Sequence, residues 1–116
     1  MTENILFMGW NHSIVGREKI SGDHFQEFVQ YLIGLQKNGT IQSFDPVFLN
    51  VHGGDMNGFF LIKGEGKKLE ALTETEEWVK HIFRASLHLD GLGVIRGVTG
   101  EALNERMQMW MNNIPA

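Results

Sequence analysis

Hydrophobic positions along the chain follow two rhythms. Four extended runs, at 4–11, 41–51, 58–63 and 92–98, are dense enough in apolar residues to predict β-strands. Two stretches, 22–38 and 67–86, space them at a helical period instead. In the first run Ile5, Phe7 and Gly9 share one face, and Leu6, Met8, Trp10 and His12 the other, because strand side chains alternate. Phe25, Phe28, Val29 and Leu32 then form a helical stripe, with Gln26, Glu27 and Gln30 turned to water. Residues 13–22 read as a loop, Ser21 or Asp23 as the cap of that helix, and Asn38-Gly39 as its stop. Pro46 has no N–H to donate, so it predicts a sheet edge or a bulge in the second strand. Leu69 and Leu72 mark a short helical turn, Thr73-Glu74-Thr75-Glu76 fits a capping box, and Trp78, Val79, Ile82 and Phe83 form the next buried stripe. Leu103, Met107, Trp110 and Ile114 predict a C-terminal helix.

The resulting order, strand–helix–strand–strand–helix–strand, predicts one α+β domain over residues 1–116: a ferredoxin-like βαββαβ antiparallel sheet with an added helix. Right-handed crossovers put both main helices on the same face of the sheet. The strands are nevertheless apolar on both faces, where a sheet with one wet face should alternate. Four strands expose a face of roughly 400 Å² in projection. Leaving it in water forgoes on the order of 10 kcal/mol. The single stripe of the last helix suits an edge better than such a face. A second copy of the chain is therefore the expected cover, giving a homodimer through the sheet face.

At this point the residues carry a family likeness. The order of elements resembles the dimeric α+β barrel superfamily, in which two ferredoxin-like subunits pack sheet against sheet. The stretch from Gly58 to Gly64, followed by a helix and Leu92-Gly93-Val94-Ile95-Arg96-Gly97, is similar to small proteins related to the YCII group. The resemblance implies a dimeric barrel. Its members include cofactor-free monooxygenases, isomerases, heme-degrading enzymes and proteins with no known activity. The His and Asp pair discussed for YCII-like proteins is not assigned to residues of this chain, so no catalytic role carries over.

Composition removes several function classes. A formal charge of −4, with scattered basic residues, argues against a nucleic-acid partner. The adjacent Phe59 and Phe60 point to opposite faces, unlike the alternating aromatics of an RNA-binding sheet. Without cysteine there is no disulfide, thiolate nucleophile or thiolate-bound metal. No apolar run approaches the roughly 18 residues of a membrane span, so no membrane partner is expected. The acidic start leads straight into a strand, so a cytoplasmic location is the default expectation.

Five histidines and one arginine carry the candidate chemistry. His12 follows Trp10 at the mouth of the first strand, where an imidazole beside an aromatic wall can act as a general base. A strand-end histidine bonded to a carbonyl is the plainer alternative. His52 lies in a glycine-rich turn with Asp55 and is the second acid–base candidate; two ligands do not hold zinc, so no metal and no cofactor is expected. His24 and His81 fall among polar neighbours on helices and read as solvated surface groups. Arg96 sits between Val94 and Val98 on an apolar strand and needs a partner, Asp45 or His88, or an anionic ligand. Trp10, Asp45, His88 and Arg96 are the candidate ligand-binding residues. Two functions stay open: binding or transforming a small apolar or anionic molecule beside the sheet, and a non-catalytic interaction or sensor domain with structural His and Arg. A cavity lined by both His12 and Arg96 is the feature that separates them.

Overall fold

The computed structural model describes residues 3–116. Its elements are β1 (Ile5–Trp10), α1 (Glu18–Lys37), β2 (Ser43–Phe48), β3 (Gly58–Lys63), α2 (Gly66–Thr73), α3 (Glu76–Ser86), β4 (Gly93–Gly97) and α4 (Glu101–Asn112). The strands form one antiparallel sheet in the order β2-β3-β1-β4, an α+β arrangement consistent with a ferredoxin-like sheet. Pro46 lies on β2, an edge strand, where its missing N–H interrupts no inner ladder.

Register assigns the two faces. Leu6 opposes Ile62 and Arg96, Met8 opposes Phe60 and Val94, and Trp10 opposes Gly58. Leu6, Met8, Trp10, Phe60 and Ile62 are buried together with Phe28 and Leu32 of α1, Leu69 and Leu72 of α2, and Trp78 and Ala85 of α3. One face of the sheet thus carries α1, α2 and α3. Phe60 is the hub, with its ring centroid 5.1 Å from both Phe25 and Phe28 and 5.6 Å from Trp10. Gly58 seats Trp10, since a Cβ at Gly58 would come within 2.7 Å of the indole and of the Val47 carbonyl.

The opposite face carries Ile5, Phe7, Val47, Phe59, Leu61 and Ile95, by the same register. Phe7 and Phe59 stack at 4.8 Å, yet both stay half-buried, and Ile95 is 60% exposed. The helix α4 does not cover this face. It buries none of its own residues, and its large apolar side chains, from Leu103 at 41% to Met109 at 62%, are exposed.

Helix boundaries depart from the expected ones in two places. The first helix begins at Glu18, four residues before the expected start, because the Glu18 carboxylate accepts the Gly16 N–H at 2.9 Å and steadies the first turn. Ser21 therefore lies inside α1 and caps nothing. Further on, 67–86 divides into α2 and α3, and the hydroxyl of Thr75, not Thr73, accepts the Trp78 N–H at the second start. The stop at Asn38-Gly39 lies where expected, with Gly39 at φ +81°.

Truncating the hub, Phe60→Ala, should cost about 3–5 kcal/mol in urea unfolding. Val15→Ala, at a site 91% exposed, should change stability by less than about 0.5 kcal/mol. Similar costs for the two would refute this placement of the core.

Candidate functional site

Between α1 and the helix-covered face of the sheet lies an open cavity of about 600 Å³, at the end of β1. Apolar rings supply most of its wall. Trp10 and Phe60 come from the sheet, Phe25 and Phe28 from α1, and Phe48 from the end of β2, stacked on Phe25 at 5.7 Å. The volume falls within the range of small-molecule sites.

The polar wall is a chain of hydrogen bonds. Ser13 Oγ lies 2.7 Å from Ser21 Oγ, and Ser21 Oγ lies 2.8 Å from His88 Nδ1. His88 Nε2 is 2.8 Å from His24 Nδ1, and His24 Nε2 is 3.0 Å from His81 Nδ1. Ser13, Ser21, His24 and His88 line the cavity, while His81 lies beyond it, its ring 4.5 Å from that of Tyr31. Secondary structure sets this alignment. Ser21 and His24 are three apart on α1, so they share a side of the helix, and His81 projects from α3. His88 is held by backbone pairing of 88–90 with 11–14: Ile14 N–H donates to His88 O at 2.8 Å and Asp90 N–H to His12 O at 2.7 Å.

All three imidazoles are buried, which corrects the reading of His24 and His81 as solvated groups. Burial disfavours their charged forms. The pKa of His24 is lowered to about 4, first by desolvation and then by the Arg84 guanidinium, against which Glu27 acts weakly. Desolvation and then Arg84 also lower His81, opposed by Glu27 and Glu77, and lower His88, assisted by Arg17. Arg84 itself is tied to Glu27 by an ion pair between α3 and α1. Arg17 and Arg84 border a second cleft, which His24 and His88 line as well as the first. Near neutral pH each ring therefore carries one proton and offers one donor and one acceptor.

The sequence candidates are dispersed by the fold. Trp10, His12 and His88 all line the cavity, and His12 Nδ1 lies 2.8 Å from the Asn57 side-chain amide at the rim. His52 is exposed in the β2–β3 loop, with Nδ1 2.7 Å from Asn50 O, away from the cavity. Asp45 and Arg96 lie on opposite edge strands and on opposite faces of the sheet, and neither borders the cavity. The cavity thus takes His12 without Arg96. Sequence reasoning missed Ser13, Ser21, His24, His81 and Asn57 as site residues. A signal for His24 was present, since it precedes Phe28 and Leu32 by four and eight residues on one helical stripe.

Among the described residues no group of His, Asp or Glu is arranged to hold a metal ion. The inner nitrogens of the three rings are turned onto one another. No described helix is long and apolar enough to cross a membrane. No family model, no curated protein and no solved structure matches this chain.

The depressed histidines set a pH dependence. Between pH 6.5 and about 4 the unfolded chain binds protons that folded His24 refuses, so stability is full above that window and lost as pH falls through it. At about 1.4 kcal/mol per pKa unit, reduced for the nearby polar and solvated groups, the loss should be about 2 kcal/mol. For a domain of this size the melting temperature should fall by roughly 10 °C from pH 7 to pH 4.5. His24→Gln should flatten the decline. A wild-type melting temperature constant across that range would contradict buried neutral imidazoles.

Proposed function

We propose that the chain binds a small, neutral, largely aromatic molecule in the cavity, with a hydroxyl or carbonyl of that molecule turned to Ser21 and His88. The observation that carries this reading is the pairing of a wall of aromatic rings with a hydrogen-bonded wall of hydroxyls and neutral imidazoles, beside which the one lining ionic group, Glu18, is itself an anion. Neutral imidazoles and hydroxyls solvate a polar uncharged group well and an isolated carboxylate poorly. His12, at the rim beside Asn57, is the acid–base residue placed to reach an entering molecule, and no cofactor is required by this reading.

Naphthol and indole are suitable probes. At ten times its dissociation constant such a probe should stabilise the fold by about 1.4 kcal/mol, or roughly 5 °C in melting temperature. Benzoate should do much less. Gly22 borders the cavity on α1, and a Cβ there meets nothing within 4 Å, so Gly22→Trp can obstruct the cavity without disturbing the core. It should abolish the probe effect while the unliganded protein stays folded. No stabilisation by either neutral aromatic, or equal stabilisation of the obstructed variant, would refute the assignment.

The proposal extends to assembly as a dimeric α+β barrel, through the sheet face that carries Phe7, Phe59 and Leu61. Its support is that α4 leaves this face uncovered and Ile95 60% exposed. A face of roughly 400 Å² per subunit lies below the half-interface of about 800 Å² in a standard complex, so a dimer must recruit further surface. Leu103, Met107 and Trp110 of α4, all more than 40% exposed, are available for that. Sedimentation at micromolar concentration should give twice the 13.2 kDa chain, and Phe59→Arg should give the single chain, still folded. A monomeric wild type would contradict the assembly.

A further inference from the structure

The hydrogen-bonded histidines have an outlet as well as an inlet. His24 uses both ring nitrogens on its neighbours, and His88 uses Nε2 on His24 and Nδ1 on Ser21. His81 uses only Nδ1. Among the described residues no buried side-chain nitrogen or oxygen lacks a hydrogen-bond partner, so Nε2 of His81 is the end of the chain that touches water. At the other end the Ser21 hydroxyl faces the cavity.

The atom pairing restricts the protons severely. Suppose His88 carries its proton on Nε2. It donates to His24 Nδ1, so His24 must carry its proton on Nε2 and donate to His81 Nδ1, and His81 must carry its own on Nε2. Ser21 then donates to His88 Nδ1. In the reverse arrangement His81, His24 and His88 all carry their protons on Nδ1, and His88 donates to Ser21 Oγ. Neutral rings satisfy every contact in these two states and in no mixture of them. The second hydroxyl of Ser13, and the His88 carbonyl 3.4 Å from both serine oxygens, accommodate Ser21 in either state.

We propose that Ser21, His88, His24 and His81 form a proton relay between a hydroxyl bound in the cavity and bulk water, in which the three imidazoles change tautomer together. The proposal rests on the ligand reading above and narrows it to molecules with a weakly acidic hydroxyl, phenolic or enolic. In the outward step the ligand O–H bond breaks as its proton bonds to Ser21 Oγ, and the Ser21 proton passes to His88 Nδ1. The proton on His88 Nε2 passes to His24 Nδ1, that on His24 Nε2 to His81 Nδ1, and that on His81 Nε2 to water. The ligand becomes a short-lived anion that accepts a hydrogen bond from the newly protonated Ser21 hydroxyl, water becomes hydronium, and no ring gains or loses charge. The inward step reverses every transfer and resets the relay. Arg84, Arg17, Glu27 and Glu77 are the charged groups that face these rings. Arg84 acts against a charged imidazole at all three positions, so a concerted shift through neutral rings is favoured over a stepwise one.

Long-range nitrogen–proton NMR of the full ¹⁵N-labelled chain at pH 7, without ligand, reads each ring directly. His24, His81 and His88 should each be singly protonated and should share one tautomer, or one ratio of the two. His81→Gln, outside the cavity wall, should shift the tautomer ratio of His24 and of His88 by the same fraction. His24→Phe should make the ratios of the remaining two rings independent, and an intact amide spectrum certifies the fold of each variant. Mixed tautomers, a doubly protonated ring, or a His81→Gln effect that stops at His24 would overturn the relay. These readings need no ligand, so failure of naphthol to bind would sink the ligand assignment separately and leave the coupled tautomers to stand or fall by themselves.

Discussion

Three imidazoles buried in one small domain impose the constraint on which the rest of this structure depends. Each must stay uncharged, and each must find a partner for both nitrogens or reach water. The solution is a single line of contacts, Ser21 to His88 to His24 to His81. A buried polar group left unpaired costs about 1–3 kcal/mol. The line therefore holds α1 against α3 in one register, and holds 88–90 beside 11–14. The aromatic cluster of Phe28, Phe60 and Trp78 packs next to it and keeps water out. Stability and polar chemistry share the same few side chains here.

The sheet works as a partition between two surfaces with different tasks. Its helix-covered face buries the core and, past Trp10, opens into the cavity. Its other face is apolar and uncovered by α4. Glycines at 9, 93 and 97 fall on that second face, where the Phe7 ring lies over Gly9, the Ile5 side chain over Gly97 and open space over Gly93. A sheet-to-sheet assembly would leave the cavity open, since the cavity lies between the sheet and α1 on the opposite side.

Much of the fold was legible from periodicity, because β1, β3, α1, α2 and α3 each bury a face in the common core, whereas α4 buries none. Pro46 pointed to the edge, Asn38-Gly39 to a helix stop, and the apolar runs to four strands. The site was less legible, for reasons that are specific. His24 was read from its polar neighbours Asp23, Gln26 and Glu27, although its own spacing to Phe28 places it on the buried stripe. His81 lies between Trp78 and Ala85 on the buried side of α3, and its partner is 57 residues away in sequence. Spacing along one chain cannot reveal that kind of pairing. Arg96 illustrates the converse. Its alternating pattern was read correctly as a strand, but β4 is an edge strand, and the side chain is exposed beside the sheet rather than enclosed in it.

Neutron diffraction from deuterium-exchanged crystals at pH 7 tests the central claim most directly, because it locates the protons themselves. The account predicts one deuteron in the His88–His24 contact, one in the His24–His81 contact, and a single deuteron on each of the three rings. Two deuterons on any one of these imidazoles, or a contact holding none, would contradict it.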